Sequence, residues 1–147
     1  MTYWLLVERL ENWEVDRMEG FRRFGLPEKK KRWADEMKTG DKLIFYVSSG
    51  MSRFADVREV IKEGTFRLGA SGAYDTAFPL FIATKPILTL DIEKWVAIQN
   101  LTRKLSFTAG MKDWRQVMRT SMRRLNHEDV AVILDAMNRS ANAVIIR

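Results

Sequence analysis

Hydrophobic and polar positions change rhythm several times along this chain of 147 residues. Tyr3 to Glu8 is a nearly unbroken run of aromatic and branched side chains, which predicts a buried strand. Glu11 to Arg23 mixes apolar and charged positions and predicts a short helix. Gly25-Leu26-Pro27 breaks it, because Pro27 fixes its own φ and pushes Leu26 away from helical geometry. The charged segment Glu28 to Lys38 reads as loop or helical turn. Gly40-Asp41 is a turn signal before a second strand at Lys42 to Ser48, and Ser49-Gly50 turns the chain into a third at Phe54 to Ile61. Gly64 to Ala77 carries no period and reads as a loop. Phe78 to Ile87 predicts a fourth strand bounded by Pro86, and Asp91 to Asn100 a short helix or irregular connection.

The C-terminal part changes to helical periodicity. Met111, Trp114, Met118, Met122 and Leu125 recur at spacings of three and four, the pattern of one buried helix stripe. Asn126 is placed to cap a following helix, with Glu128 and Asp129 in its first turn and Val130, Ile133, Leu134 and Met137 on its buried face. Asn142 to Arg147 reads as a last strand or a frayed tail. Strands followed by helices at the ends predict an α+β class: a small β-barrel of about five short, mostly antiparallel strands with flanking helices. No repeat, low-complexity stretch or Pro/Ser-rich linker interrupts the pattern, so residues 1–147 are expected to form one domain.

Composition narrows the chemistry. The chain has no cysteine and one histidine, His127. That excludes disulfides, thiolate zinc sites, a Cys nucleophile and multi-His metal centres, and it argues against a Ser-His-Asp triad. There is no Gly-rich phosphate loop or dinucleotide fingerprint, so neither metal nor cofactor is expected. The longest apolar runs fall far short of the ~20 residues of a membrane span, and the N-terminus has no secretory pattern. The expectation is a cytoplasmic monomer. Lys and Arg outnumber Asp and Glu by 25 to 19, a net charge of +6, and the excess is clustered. Arg103 to Arg124 carries seven basic residues and one acid, and Arg17 to Lys38 eight and four. Clustered basic charge favours a polyanionic partner, nucleic acid first.

The order of short motifs completes the picture. Tyr3-Trp4-Leu5, Glu11-Asn12-Trp13-Glu14, Gly25-Leu26-Pro27 and Gly40-Asp41-Lys42-Leu43 leading into Phe45-Tyr46-Val47-Ser48 resemble the EVE domain family. Phe54-Ala55 with Glu59-Val60, Phe78-Pro79, Lys85-Pro86-Ile87, Leu105-Ser106-Phe107, Trp114, Met122-Arg123-Arg124-Leu125 and Glu128-Asp129 continue the resemblance over nearly the whole chain. It implies a PUA-like fold related to the YTH domain, whose members enclose a methylated adenine in an aromatic cage, and a role in sensing modified bases rather than catalysis. Three positions depart from the pattern: Asp56 stands where the family often has Gly, Phe24 where Trp is common, and Phe78-Pro79-Leu80-Phe81 lacks a familiar arginine.

On that resemblance, the expected function is a nucleic-acid-binding module that captures a modified or flipped base. Stacking on aromatic faces offsets the cost of unstacking the base, and a few hydrogen bonds read its edge. The candidate walls are Trp13, Phe24 and Tyr74. Asn12, Ser48 and the backbone of Leu26, held by Pro27, are the candidates for edge contacts. Lys29, Lys30, Lys31 and Arg32 follow the Gly-Leu-Pro turn at the expected pocket mouth, and Arg115, Arg119 and Arg123, four apart, form one stripe on the expected helix. The alternative for that stripe, favoured over a dedicated backbone rail, is a solvated helix surface. Two alternatives stand beside the binding module. One is an enzyme acting on nucleic acid or nucleotides, which a buried, perturbed Asp56 beside the pocket would support. The other is a protein-interaction module using the basic C-terminal helix.

Overall fold

The computed structural model describes residues 1–67, 78–119 and 122–143. Strand β1 (Tyr3–Glu8) leads into helix α1 (Leu10–Met18), strand β2 (Arg23–Leu26) and the one-turn helix α2 (Lys31–Ala34). Strands β3 (Lys42–Val47), β4 (Arg53–Val60), β5 (Phe66–Arg67), β6 (Leu80–Thr89) and β7 (Val96–Ala97) follow. Helix α3 (Trp114–Val117), strand β8 (Met122–Leu125) and helix α4 (His127–Asn142) end the described chain. The sheet runs β2-β6-β4-β3-β1-β8, with β5 beside β6 and β7 beside β4. Among the described residues only β1 and β3 pair in parallel; the other pairings are antiparallel. The result is an α+β half-barrel, as expected in class, but with eight strands among the described residues rather than about five.

Alternation along the strands divides the core in two. Trp4 and Leu6 of β1, with Leu43 and Phe45 of β3, join Phe24, Leu26, Leu80, Ile82 and Met122 in one cluster. Leu5, Ile44 and Tyr46 face the other way and pack with Trp13, Phe54, Trp95, Ile133 and Met137. Helix α4 closes this second cluster. Its cap is the one expected: the Asn126 side chain accepts from the Asp129 amide at 2.8 Å.

Two differences from the sequence reading have clear causes. The stripe Met111 to Leu125 is not one helix. Among its described residues only Trp114–Val117 is helical, and Met122–Leu125 pairs with β1, placing Met122 opposite Leu6. Spacings of three and four described burial correctly for Met118 and Met122, but two different elements bury them. Nor does Pro86 end its strand: β6 runs on to Thr89. Pro86 lies opposite Arg58, where the register shifts, and such an irregularity accommodates a residue that cannot donate. Of the expected last strand, Asn142 closes α4, and residues 144–147 lie outside the described residues.

Between the two clusters lies a fully buried charge. The Arg58 guanidinium stacks 3.5 Å from the Phe45 ring centroid and 4.7 Å from that of Phe21. Its Nε donates to Asp56 Oδ1 at 2.7 Å, its Nη1 to Asp16 Oδ2 at 2.8 Å, and its Nη2 to Asp56 Oδ2 at 3.2 Å and Glu8 Oε1 at 3.5 Å. Removing one member of a buried ion cluster strands the others in a low-dielectric interior. Arg58→Met is therefore expected to cost about 3–5 kcal/mol, read as a lower urea midpoint. Lys85→Met, which removes a surface partner of Glu59, should leave the midpoint nearly unchanged.

Candidate nucleic-acid interface

The C-terminal end of β1 and the N-terminal part of α1 face β2 across a cleft of about 590 Å³. Val7, Glu8, Arg9 and Asn12 form one side. Phe24, Gly25, Leu26 and Pro27 form the other, and Phe78, Arg119 and Met122 complete the lining. Lys29 and Lys30 stand at the end of the β2 wall because Pro27, extended at φ −77° and ψ 159°, starts a tight turn over Glu28–Lys30. The Lys30 amide closes that turn on the Pro27 carbonyl at 3.0 Å. Phe24 is held edge-on to Phe45, with centroids 5.1 Å apart.

Cations gather at the opening. Arg9 pairs with Glu11, whereas no carboxylate pairs with Lys29, Lys30 or Arg119 among the described residues. The floor has the opposite character. Glu8 follows Trp4 and Leu6 on the same face of β1, so its carboxyl enters the interior and meets Arg58 and Asp16. One guanidinium cannot neutralise three buried carboxylates. Burial, then the Asp16 charge, push the Glu8 carboxyl well above the ordinary glutamate range, and Arg58 only partly opposes them. Burial also raises Asp16, though Arg58 opposes it. Arg58 lies closer to Asp16 than to Glu8, at 2.8 Å against 3.5 Å. Asp16 Oδ1 has no hydrogen-bond partner among the described residues.

The structure brings Asn12, Phe24, Leu26, Pro27, Lys29, Lys30 and Arg119 to one cleft. It separates the other expected residues from it. Trp13 is no wall: it is 2 % exposed, its indole N–H donates to Asp56 Oδ2 at 2.7 Å, and its ring packs on Trp95 and Phe21. The apolar ring was drawn into the core, and Asp56 satisfies its donor. Ser48 donates its hydroxyl to the Glu8 carbonyl at 3.2 Å and lies outside the lining. Lys31 pairs with Asp35, and Arg32 lies with Trp33 and Glu36 in a separate small hollow. Arg115, Arg119 and Arg123 do not form a helical stripe: they sit on α3, beyond its end, and on β8. Arg115 lies over Trp114, and Arg123 over Phe107. Tyr74 lies outside the described residues.

Glu8, Arg9, Phe78 and Met122 were not singled out from the sequence. For Glu8 a signal existed, since period-two alternation from Trp4 and Leu6 puts it on the buried face. Arg58 could have been found the same way, two residues from Asp56 and from Val60 on one strand.

With the geometry in place, likeness to known proteins can be weighed. The model of the EVE domain matches residues 2–136. The chain belongs to the EVE domain family. A UPF0310 protein of Pyrococcus abyssi is 28% identical over 145 residues, covering 90% of this chain and 97% of the relative. A UPF0310 protein of Pyrococcus horikoshii is 27% identical over 146 residues, with the same coverage. Among solved structures, a hypothetical protein from Leishmania major superposes with a TM-score of 0.66 at 17% identity, over 95% of this chain and 96% of that one. The YTH domain of Mmi1, solved in complex with RNA, gives 0.63 at 9% identity, over 95% of this chain and 79% of that one. At such identities these likenesses concern the fold. Asp56, one of the three departures from the expected pattern, holds Arg58 and Trp13 with its carboxylate and does not line the cleft.

The raised Glu8 carboxyl has a consequence for stability. A carboxyl whose folded value is raised holds a proton that the unfolded chain has already lost, so folding weakens as pH rises between the two values. The stability difference between wild type and Glu8→Gln should therefore shift in favour of the variant as pH rises from the ordinary glutamate range to the raised folded value, then level off. Urea unfolding of both proteins from acidic to mildly alkaline pH measures it; parallel profiles would show that Glu8 folds in as an ordinary carboxylate.

Proposed function

We propose that the cleft binds nucleic acid by taking in one base, modified or flipped out of its stack, while the cations at the opening hold the flanking phosphates. The observation that carries this reading is the composition of one concavity: an aromatic edge at Phe24, an amide at Asn12, and Lys29, Lys30 and Arg119 around the rim. Its volume of about 590 Å³ falls within the ~300–1,000 Å³ of small-ligand sites. Asn12 both donates and accepts, as a base edge requires. The YTH domain of Mmi1 was solved with RNA, and its shared fold supports a nucleic-acid partner here. Modification of the base is the finer part of the proposal, supported by the family resemblance.

The reading is of a binding site rather than a catalytic one. Asp56, on which a catalytic alternative rested, is buried, held by Arg58 and Trp13, and is not among the cleft's lining residues. The protein-interaction alternative rested on a basic C-terminal helix, and the arginines in question lie on separate elements.

Fluorescence anisotropy with short labelled oligonucleotides, with and without base modification and at several salt concentrations, tests the proposal. Lys29→Ala with Lys30→Ala should weaken binding to every sequence and flatten the slope of log K against log salt by about 0.7–0.9 per cation removed. Asn12→Ala should leave that slope unchanged and reduce discrimination between bases. Unaltered affinity and slope in the double lysine variant would remove the cleft opening from the interface.

A further inference from the structure

A base held in the cleft leaves one large aromatic beside it unexplained. Trp33 of α2 is 42 % exposed, the only exposed aromatic ring among the described residues. It meets Trp4 nearly at right angles, with centroids 6.3 Å apart. In an edge-to-face pair the partner covers at most one face of a ring, so Trp4 leaves at least one face of the Trp33 indole uncovered. An open aromatic face alone says little, but the charge around it says more. Each acid of the segment 28–36 already has a cation: Glu28 has Arg67, Asp35 has Lys31 and Glu36 has Arg124. Lys29, Lys30 and Arg32 have no carboxylate partner among the described residues, so their charges stand uncompensated along the turn that carries Trp33. Two routes join Trp33 to the cleft. Along the chain, Lys30 lines the cleft, and Trp33 follows three residues later in a neighbouring hollow with Arg32 and Glu36. Along β8, Met122 lines the cleft, and Arg124, two residues on, stands opposite Trp4 with its guanidinium 4.8 Å from that ring and its Nη2 donating to Glu36. Two residues of strand span roughly 7 Å, so the cleft and the hollow adjoin on one surface.

We propose that Trp33 is a stacking platform for the nucleotide next to the one whose base enters the cleft, so that the occupant of this surface is a single strand of nucleic acid. This inference rests on the cleft being a base site. Every base has a π-face, so the platform adds affinity and a requirement for an open strand without adding sequence preference. With one base in the cleft and its neighbour on Trp33, neither is paired, and a duplex is bound only after both are opened. Lys29, Lys30 and Arg32 supply the counter-charge for the phosphates between the two places. A protein partner would also favour an exposed tryptophan, but three uncompensated cations on the same turn favour a polyanion.

The test uses the full chain and short single strands of equal charge that differ only in which positions carry a base and which are abasic. One strand carries no base, one a single base, and the others two bases, adjacent or separated by one abasic position. Wild type should bind the best two-base strand about tenfold more tightly than the one-base strand, toward the lower end for one stacked base. Two equivalent registers alone would supply only about twofold, as simple counting of sites requires. Trp33→Ala should bind one-base and two-base strands within that factor of two, with the wild-type affinity for the one-base strand and the wild-type salt slope. Trp33→Phe should keep most of the gain. Trp33→Leu, which keeps an apolar contact with Trp4 but no aromatic face, gives the same reading should Trp33→Ala be unstable. A gain that persists in Trp33→Ala or Trp33→Leu overturns the role of Trp33. Wild type that prefers one base to none but gains nothing from a second overturns this inference and leaves the base site standing, the result expected of a tryptophan that serves a protein partner. Wild type indifferent to the first base overturns the base site itself. Loss of the one-base preference in Trp33→Ala would place that base on Trp33 and overturn the cleft as its site.

Discussion

Arg58 is a buried cation whose partners come from three different elements, and most of the molecule's arrangement follows from satisfying it. Asp56 lies two residues away on β4, Asp16 comes from α1, and Glu8 closes β1. Phe45 and Phe21 cover the guanidinium faces. Burial works against the charge, but Asp56, Glu8 and Asp16 outweigh it, and the guanidinium is held even more firmly protonated than in water. Because a buried ion is costly unless paired and hydrogen-bonded, α1 must dock on the sheet with Asp16 inward. The chain leaving α1 then turns back through Phe21, which adopts a positive φ of 58° while its amide bonds the Asp16 carbonyl at 2.8 Å.

The site inherits its character from this cluster. One short turn carries β1 into α1, and the same region presents Arg9 and Asn12 to β2 while the Glu8 carboxyl points inward to Arg58. Pro27 ends β2 and directs Lys29 and Lys30 to the rim. The region therefore joins two electrostatic regimes: a positive opening in contact with water, where salt screens it, and a buried ion cluster behind the cleft wall in a low dielectric. Among the described residues no group of His, Cys, Asp and Glu could hold a metal ion. The three carboxylates that converge beneath the floor already have their cation in Arg58.

Strand positions were legible where hydrophobic runs were long: β1, β3, β4 and β6 were anticipated within a few residues, as was the Asn126 cap. The segment Met111 to Leu125 was not, because its periodicity reports burial without reporting which element does the burying. Pairing of Met122–Leu125 with β1 is a long-range contact, and local spacing is blind to it. The site divides along the same line. Phe24 to Lys30 could be placed because Gly25-Leu26-Pro27 dictates a local turn beside a basic run. Trp13 was misplaced because an aromatic beside Asn12 has the same composition whether it faces a ligand or the core. Only the position of Asp56, forty-three residues away, decides where its indole points. Glu8 and Arg58 carried a signal in their alternation, masked by the general expectation that charges lie outside.

The most direct test of the account is where a bound oligonucleotide perturbs the protein. In a titration with a short single-stranded oligonucleotide followed by amide and methyl NMR, the account predicts shifts concentrated at Glu8, Asn12, Phe24, Lys29, Lys30, Arg119 and the Met122 methyl. Shifts confined to Arg103, Lys104, Lys112 and Arg115, with the cleft resonances unmoved, would contradict it.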